Sequence, residues 1–179
     1  YVPSIYLSIE NLSNHRDLDY QKLNKGLGLE KMAIADSNED PSSFAANALI
    51  DLFEKNKINP KEIGRIYMGT ESALDASKPS ATYATDLVEK HFTEKFGERC
   101  LRNCDVTDMT FACIGGVDAL QNTIDWISRN PDKKAIVVTS DLSKYELNSS
   151  GEYTQGAGAI ALLISENPSI FAIDNIWGI

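Results

Sequence analysis

Apolar and polar positions change rhythm several times along this 179-residue chain. In "EDPSSFAANALIDLFEKNKI", Phe44, Ala48, Leu49, Leu52 and Phe53 recur at the three- and four-residue steps of one helical face. Asp40 stands where an N-cap belongs, and Pro41 follows at the first helical position, where a missing N–H costs nothing. A short strand through Ile66, Tyr67 and Met68 stops at Gly69, and a second helix is expected from about Ser80 to Phe92, through Leu87 and Val88. "CLRNCDVTDM" holds a further strand. "CIGGVDALQNTIDWISRN" reads as a helix with Val117, Leu120, Ile124 and Ile127 on its apolar stripe. "KKAIVVTSD" is the continuous apolar run of a buried strand, and "QGAGAIALLIS" and "SIFAIDNIW" supply two more. Strands alternating with helices imply crossovers and a largely buried sheet, so the class is α/β with helices on the sheet faces.

Charge removes some functions from consideration. Seventeen Lys and Arg against 26 Asp and Glu leave a net charge of -9, with no basic run to grip phosphate backbones, so no nucleic-acid partner is expected. The absence of an apolar stretch of about 18 residues argues against a membrane partner. With no signal-peptide pattern at the N-terminus, the chain reads as cytoplasmic. Three cysteines without CxxC spacing fit reduced thiols, not a disulfide framework. The sequence begins at Tyr1 without a methionine and ends in the apolar run "SIFAIDNIWGI", which reads as the cut edge of something longer.

Three loops each follow a strand: "GTES" at 69–72, "ACIGG" at 112–116 and "SDLSKYE" at 140–146. Ligands of such sheets gather beyond the carboxyl ends of strands, so Glu71, Cys113 and Asp141 are expected to converge. Cys113 precedes two glycines at a strand-to-helix turn, where the N–H groups of a helix start favour a thiolate nucleophile and glycines admit a close neighbour. The same residues also suit a small core cysteine beside glycines that ease helix packing. Glu71 among small residues suits a proton carrier in a poorly solvated pocket, and equally a loop carboxylate capping the next turn. Cys100 and Cys104 fit the core. "GLGLEK" and "TQGAGAIALL" lack the strand, GxGxxG, helix order of a dinucleotide cradle, and His15 and His91 fit surface or structural positions.

Taken in order, "GLGLEKMAI", "GTESALDASK", "ACIGG", "VVTSDLSKYELNSSGEYTQGAGAIALLIS" and "NPSI" resemble the N-terminal half of hydroxymethylglutaryl-CoA synthase, of the thiolase-like superfamily, most closely its bacterial members. The resemblance covers nearly the whole chain. It implies a thiolase-like layered fold with a mixed sheet flanked by helices, residues 1–166 forming this half and 167–179 a strand leading into a missing C-terminal half. It implies an acyltransferase of the mevalonate pathway of isoprenoid biosynthesis that condenses acetyl-CoA with acetoacetyl-CoA and water. By the same resemblance Cys113 takes the acetyl group as a thioester and Glu71 removes a proton from its methyl group. Asp141 supports the site, Tyr145 lies nearby and Thr154 lies close to the acyl group, these three being assigned to substrate binding. CoA thioesters serve as substrates with no separate cofactor or metal, and the enzyme is a homodimer. The thioester carbonyl is expected to be polarised by N–H donors around the Cys113 helix start.

Two positions depart from the family pattern: Ile114 stands where many members carry an aromatic residue, and no histidine here matches the one that positions the acetoacetyl group, placing it beyond Ile179. Without that segment little condensing activity is expected. Related alternatives are a polyketide-branching synthase acting on carrier-protein thioesters and a ketoacyl carrier-protein synthase. From other classes come a thioester hydrolase and a non-catalytic dimerisation half.

Overall fold

The computed structural model describes residues 1–174 and 176. The chain opens with a small unit that the hydrophobic pattern does not announce: strand β1 (Ile5–Ser8), helix α1 (Ile9–Arg16), a π-helical turn (Lys22–Gly26) and strand β2 (Lys31–Ile34). β1 pairs antiparallel with β2. Ser8 caps α1 by accepting from Asn11 N–H at 3.1 Å. Ile9, Leu12, Leu23 and Met32 close a minor apolar cluster beneath it.

The main body follows as helix α2 (Pro41–Lys55), strand β3 (Ile63–Gly69), helix α3 (Ser80–Phe96), strand β4 (Asp105–Met109), helix α4 (Gly115–Arg129), and strands β5 (Lys134–Ser143) and β6 (Gly156–Ile164). The sheet runs β4-β3-β5-β6, with β3 parallel to both neighbours and β6 antiparallel to β5, so it is mixed as well as helix-flanked. α2 begins as expected. Asp40 Oδ1 accepts from Ser43 N–H at 2.7 Å, and Ser43 Oγ accepts from Asp40 N–H at 2.8 Å, a reciprocal cap. α3 runs to Phe96, four residues beyond the expected end, and stops at Gly97, whose φ of 83° suits glycine. Its start has no cap of its own. Asp108, reaching across from β4, accepts from Ser80 and Ala81 N–H at 2.5 and 3.0 Å.

α2 and α3 cover one face of the sheet. Leu49, Phe53, Val88 and Phe92 pack there on Ile66, Met68, Ile136 and Val138, each side chain contributing about 1.5–3 kcal/mol by burial. α4 covers the other face, and here the expected stripe is corrected. The residues it buries are Gly115, Ala119, Thr123 and Ile127, an i,i+4 row of mostly small side chains, whereas Val117 is exposed and Leu120 and Ile124 only partly covered. Small residues on one ridge let the helix approach the strands closely, and closeness takes precedence over the burial of the bulkier row. The strand expected over "CLRNCDVTDM" forms only from Asp105, because residues 100–103 turn and bury Cys100 and Leu101 instead. The strand expected over "SIFAIDNIW" is also corrected. Described residues 169–174 and 176 join no sheet, so they lack the neighbouring backbone that a ladder requires. Asn175 and Trp177 of that run lie outside the described residues. No described helix is long and apolar enough to cross a membrane.

Candidate active site

The site forms where β3, β4 and β5 end and α4 begins, and glycines decide its dimensions. A Cβ placed on Gly69 would lie 2.5 Å from Gly116 N and 2.7 Å from its Cα, and one on Gly115 would lie 2.8 Å from the Met109 carbonyl. One on Gly116 would collide with the Thr139 side chain of β5. Side chains at these positions would wedge the helix start away from the strand ends, so "GTES" and "ACIGG" are two halves of one backbone contact. The glycine pair after the cysteine therefore admits another segment of the same chain.

That contact brings Glu71 to Cys113. Cys113 is exposed at the mouth of the turn, and the nearby Glu71 carboxylate is the main influence on its thiol. Ala112, just before it, is held at a φ of 41°, a left-handed conformation that an L-residue adopts under constraint and that sharpens the bend presenting the sulfur. Glu71 is oriented through its backbone. Asp141 Oδ1 on β5 accepts from Glu71 N–H at 2.7 Å, from Ser72 Oγ at 3.0 Å and from Thr70 Oγ1 at 3.1 Å. Thr70 N–H in turn donates to the Met109 carbonyl at 3.2 Å. One carboxylate oxygen thus gathers three consecutive residues into a fixed loop. Glu71, Cys113 and Asp141 come together as expected, with Asp141 acting on the Glu71 loop. Thr70 and Ser72 were not singled out from sequence, although hydroxyl residues on both sides of an acid directly after a strand are the visible signal of such a loop.

The electrostatics differ from the expectation. A helix start was expected to favour the thiolate. α4 begins only at Gly115, however, and the Glu71 hydrogen bond, then the Glu71 charge, push the Cys113 thiol above its ordinary value, with Asp141 adding to them. A full carboxylate charge in contact outweighs the partial charge of a helix end. Two of the expected N–H donors are also occupied: Ile114 N–H donates to the Phe111 carbonyl at 3.1 Å and Gly115 N–H to that of Ala112 at 3.4 Å. They are therefore not free to polarise a thioester. Ile114, exposed, forms part of the rim beside the sulfur.

The chemistry of the pair is directly measurable. Alkylation of Cys113 is expected to follow a pH midpoint above that of an ordinary cysteine and to shift down in Glu71→Gln, because the neutral amide no longer opposes the thiolate. Cys113 should still label ahead of its neighbours, since Cys100 is buried and burial pushes the Cys104 thiol up to about 12. An unchanged midpoint in Glu71→Gln, read by mass spectrometry after iodoacetamide treatment, would show that the two groups do not communicate.

Tyr145 and Thr154 lie in the loop joining β5 to β6, at the same end of the sheet. Tyr145 is half exposed, its ring against Gly151, where a Cβ would sit 3.1 Å from Tyr145 Cγ. Thr154 Oγ1 donates to the Gly151 carbonyl at 2.8 Å. His91 lies on the surface beside Glu54, 2.9 Å away, and His15 is exposed on α1. Among the described residues no group of three or more His, Cys, Asp or Glu is arranged to hold a metal ion.

Comparison with known proteins gives a consistent result. A sequence profile described as "Hydroxymethylglutaryl-coenzyme A synthase N terminal" matches residues 1–169. The hydroxymethylglutaryl-CoA synthase of Haloferax volcanii is 38% identical over 162 residues, which is 89% of this chain and 35% of that protein. The Enterococcus faecalis enzyme of the same name is 35% identical over 179 residues, 98% of this chain and 43% of that protein. Among solved structures, "MvaS in complex with 3-hydroxy-3-methylglutaryl coenzyme A" superposes with a TM-score of 0.87 at 38% identity, over 97% of this chain and 40% of that one. The curacin-pathway HMG synthase in complex with an acetyl donor-ACP gives 0.81 at 30% identity, over 98% and 41%. The chain thus spans well under half the length of the relatives it matches.

Proposed function

We propose, from the premise that this chain belongs to the hydroxymethylglutaryl-CoA synthase family, that it carries the acetyl-transfer half of a Claisen-type condensation. The observation that carries the reading is the exposed Cys113 thiol at a strand-to-helix turn built by Gly69, Gly115 and Gly116, which brings it beside the Glu71 loop held by Asp141. In the first step the sulfur attacks the carbonyl carbon of acetyl-CoA while its proton passes to the Glu71 carboxylate. The CoA thiolate leaves with that proton, so Cys113 holds the acetyl group as a thioester and Glu71 is again an anion. Glu71 then faces the acetyl methyl group and removes one of its protons. In the family's complete reaction the carbanion adds to the ketone of acetoacetyl-CoA, the ketone oxygen takes up the proton that Glu71 removed, and water cleaves the thioester to give hydroxymethylglutaryl-CoA and the free Cys113 thiol.

The other residues take supporting roles. Asp141 keeps the Glu71 backbone in register, and Tyr145 and Thr154 border the acyl group. CoA thioesters are the substrates, with no separate cofactor, in a cytoplasmic enzyme of isoprenoid biosynthesis. Phe111, Ile114 and Val117, exposed by 61%, 47% and 55% beside the sulfur, give the apolar patch that a homodimer contact would cover. An acetyl-carrier protein as donor is the second reading, favoured by the likeness to the curacin-pathway enzyme with its acetyl donor-ACP. The stronger likeness to MvaS, solved with 3-hydroxy-3-methylglutaryl coenzyme A, supports acetyl-CoA as the first reading.

Incubating the protein with acetyl-CoA or with an acetyl-carrier protein and mapping the added acetyl group tests this. A single acetyl thioester on Cys113, absent in Cys113→Ala, is the expected result. Acetate release without any acetylated cysteine, or acetylation shared among the three cysteines, would overturn it.

A further inference from the structure

Away from the sulfur, the loop between β5 and β6 is tied to the N-terminal unit by a charged pair withdrawn from solvent. Glu152 is 4% exposed, and Arg16 at the end of α1 meets it side-on: Nε donates to Oε2 at 2.9 Å and Nη2 to Oε1 at 2.8 Å. The two side chains are 19% and 5% exposed, whereas every other described ion pair has at least one side chain exposed by 49% or more. A buried pair is weak support for stability, since removing two charges from water offsets most of their attraction, but a bidentate fork fixes orientation strongly. What it orients is a turn. Glu152 Oε2 also accepts from Asn148 N–H at 3.0 Å, and Asn148 is held at a φ of 63°. Tyr153 packs on the cluster of Ile9, Leu12, Leu23 and Met32. The same turn carries Tyr145 and Thr154, with Tyr145 N–H donating to Gln155 Oε1 at 2.8 Å.

We propose that Glu152, clamped by Arg16, is a positioning residue that sets the 144–155 loop so that Tyr145 and Thr154 are presented to the acyl group on Cys113. This rests on the acetyl-transfer reading above. The loop returns the chain from the strand that carries Asp141, so a shift of the turn moves Tyr145 and Thr154 while the glycine contact between the Glu71 loop and the start of α4 stays in place. The main core between α2, α3 and the sheet does not include the pair, which adjoins only the minor N-terminal cluster.

Two measurements on the intact chain test the proposal. In hydrogen exchange, Glu152→Ala is expected to speed the amides of Tyr145, Asn148, Thr154 and Gln155 at least ten-fold, with α2, β5 and β6 unchanged. In the acetylation half-reaction, the maximal rate at Cys113 is expected to fall about ten-fold while the half-saturating acetyl-CoA concentration moves less than two-fold. Glu152→Gln, which keeps an acceptor for Asn148 and for Arg16, should recover most of both. It decides the matter with Arg16→Met if Glu152→Ala does not fold. Uniform loss of protection would make the pair merely structural and overturn the proposal, as would a freed loop with unchanged acetylation. If the unsubstituted protein takes up no acetyl group, the acetyl-transfer reading fails and the positioning role falls with it. In that case the exchange pattern still reports separately whether the clamp holds the loop.

Discussion

Glu71→Ala is expected to leave the enzyme able to take acetyl from acetyl-CoA yet unable to use it, whereas Cys113→Ala takes up none. The two steps make opposite demands on one carboxylate. For acetyl uptake the carboxylate is a mixed influence: it accepts the thiol proton, but its charge also keeps the thiol protonated. Removing it lowers the thiol toward its ordinary value, and the sulfur, exposed at the turn, has water as a substitute acceptor. For the second step there is no substitute. A methyl proton beside a thioester is weakly acidic, and only a base held against it moves that proton at a useful rate, so loss of the base costs about 10²–10⁴-fold. The acetyl-enzyme reports this step directly. In heavy water the wild-type acetyl group should gain deuterium at its methyl carbon, and in Glu71→Ala that gain should disappear; joined to the C-terminal half that the family carries, the variant should also fail to condense with acetoacetyl-CoA. Normal methyl deuteration in Glu71→Ala would assign the base to another group. Failure of Glu71→Ala to acetylate at all would make its role one of thiol activation.

The parts of this site that were legible in the sequence are those written as a residue type at a position. Cys113 before two glycines and Glu71 after a strand are each visible as candidates beside plainer readings, and the order of strands and helices puts both at one edge of the sheet. What was not legible depends on partners far apart in the chain. Asp108 fastens the start of α3, 28 residues away from Ser80, and Arg16 meets Glu152 across 136 residues. No local rhythm encodes such pairs, because a lone Asp, Arg or Glu in a polar segment looks like a solvated side chain. The α4 stripe misled for a related reason. Periodicity finds the row of large apolar residues, whereas the sheet selects the row of small ones, and only the partner surface tells which row is buried. The same ambiguity hides the first 34 residues, whose short strands and single helix are stabilised by the cluster they form together. The sign of the Cys113 shift was also out of reach, since it depends on how far the Glu71 carboxylate stands from the sulfur.

Gly69→Ala should show how far that distance is set by backbone contact. The added methyl group would meet the Gly116 N and Cα and the Gly115 carbonyl carbon, at 2.5, 2.7 and 2.8 Å. These are backbone atoms at the start of a helix, so no rotamer change relieves the clash. Either α4 or the end of β3 must move. Overpacking of a tight interface costs about 1–3 kcal/mol, and a clash against backbone on both sides belongs at the upper end of that range. Gly156→Ala is the matched control: nothing lies within 4 Å of a Cβ there, and the change should stay within about 0.5 kcal/mol. Denaturant unfolding of both variants measures the difference. Where Gly69→Ala remains folded, its Cys113 should alkylate with a lower pH midpoint than wild type, because the wedge carries Glu71 away from the sulfur. A Gly69→Ala protein with wild-type stability and an unshifted midpoint would mean that the helix start and the strand end tolerate a gap. The glycines would then not be what holds the nucleophile and the base together.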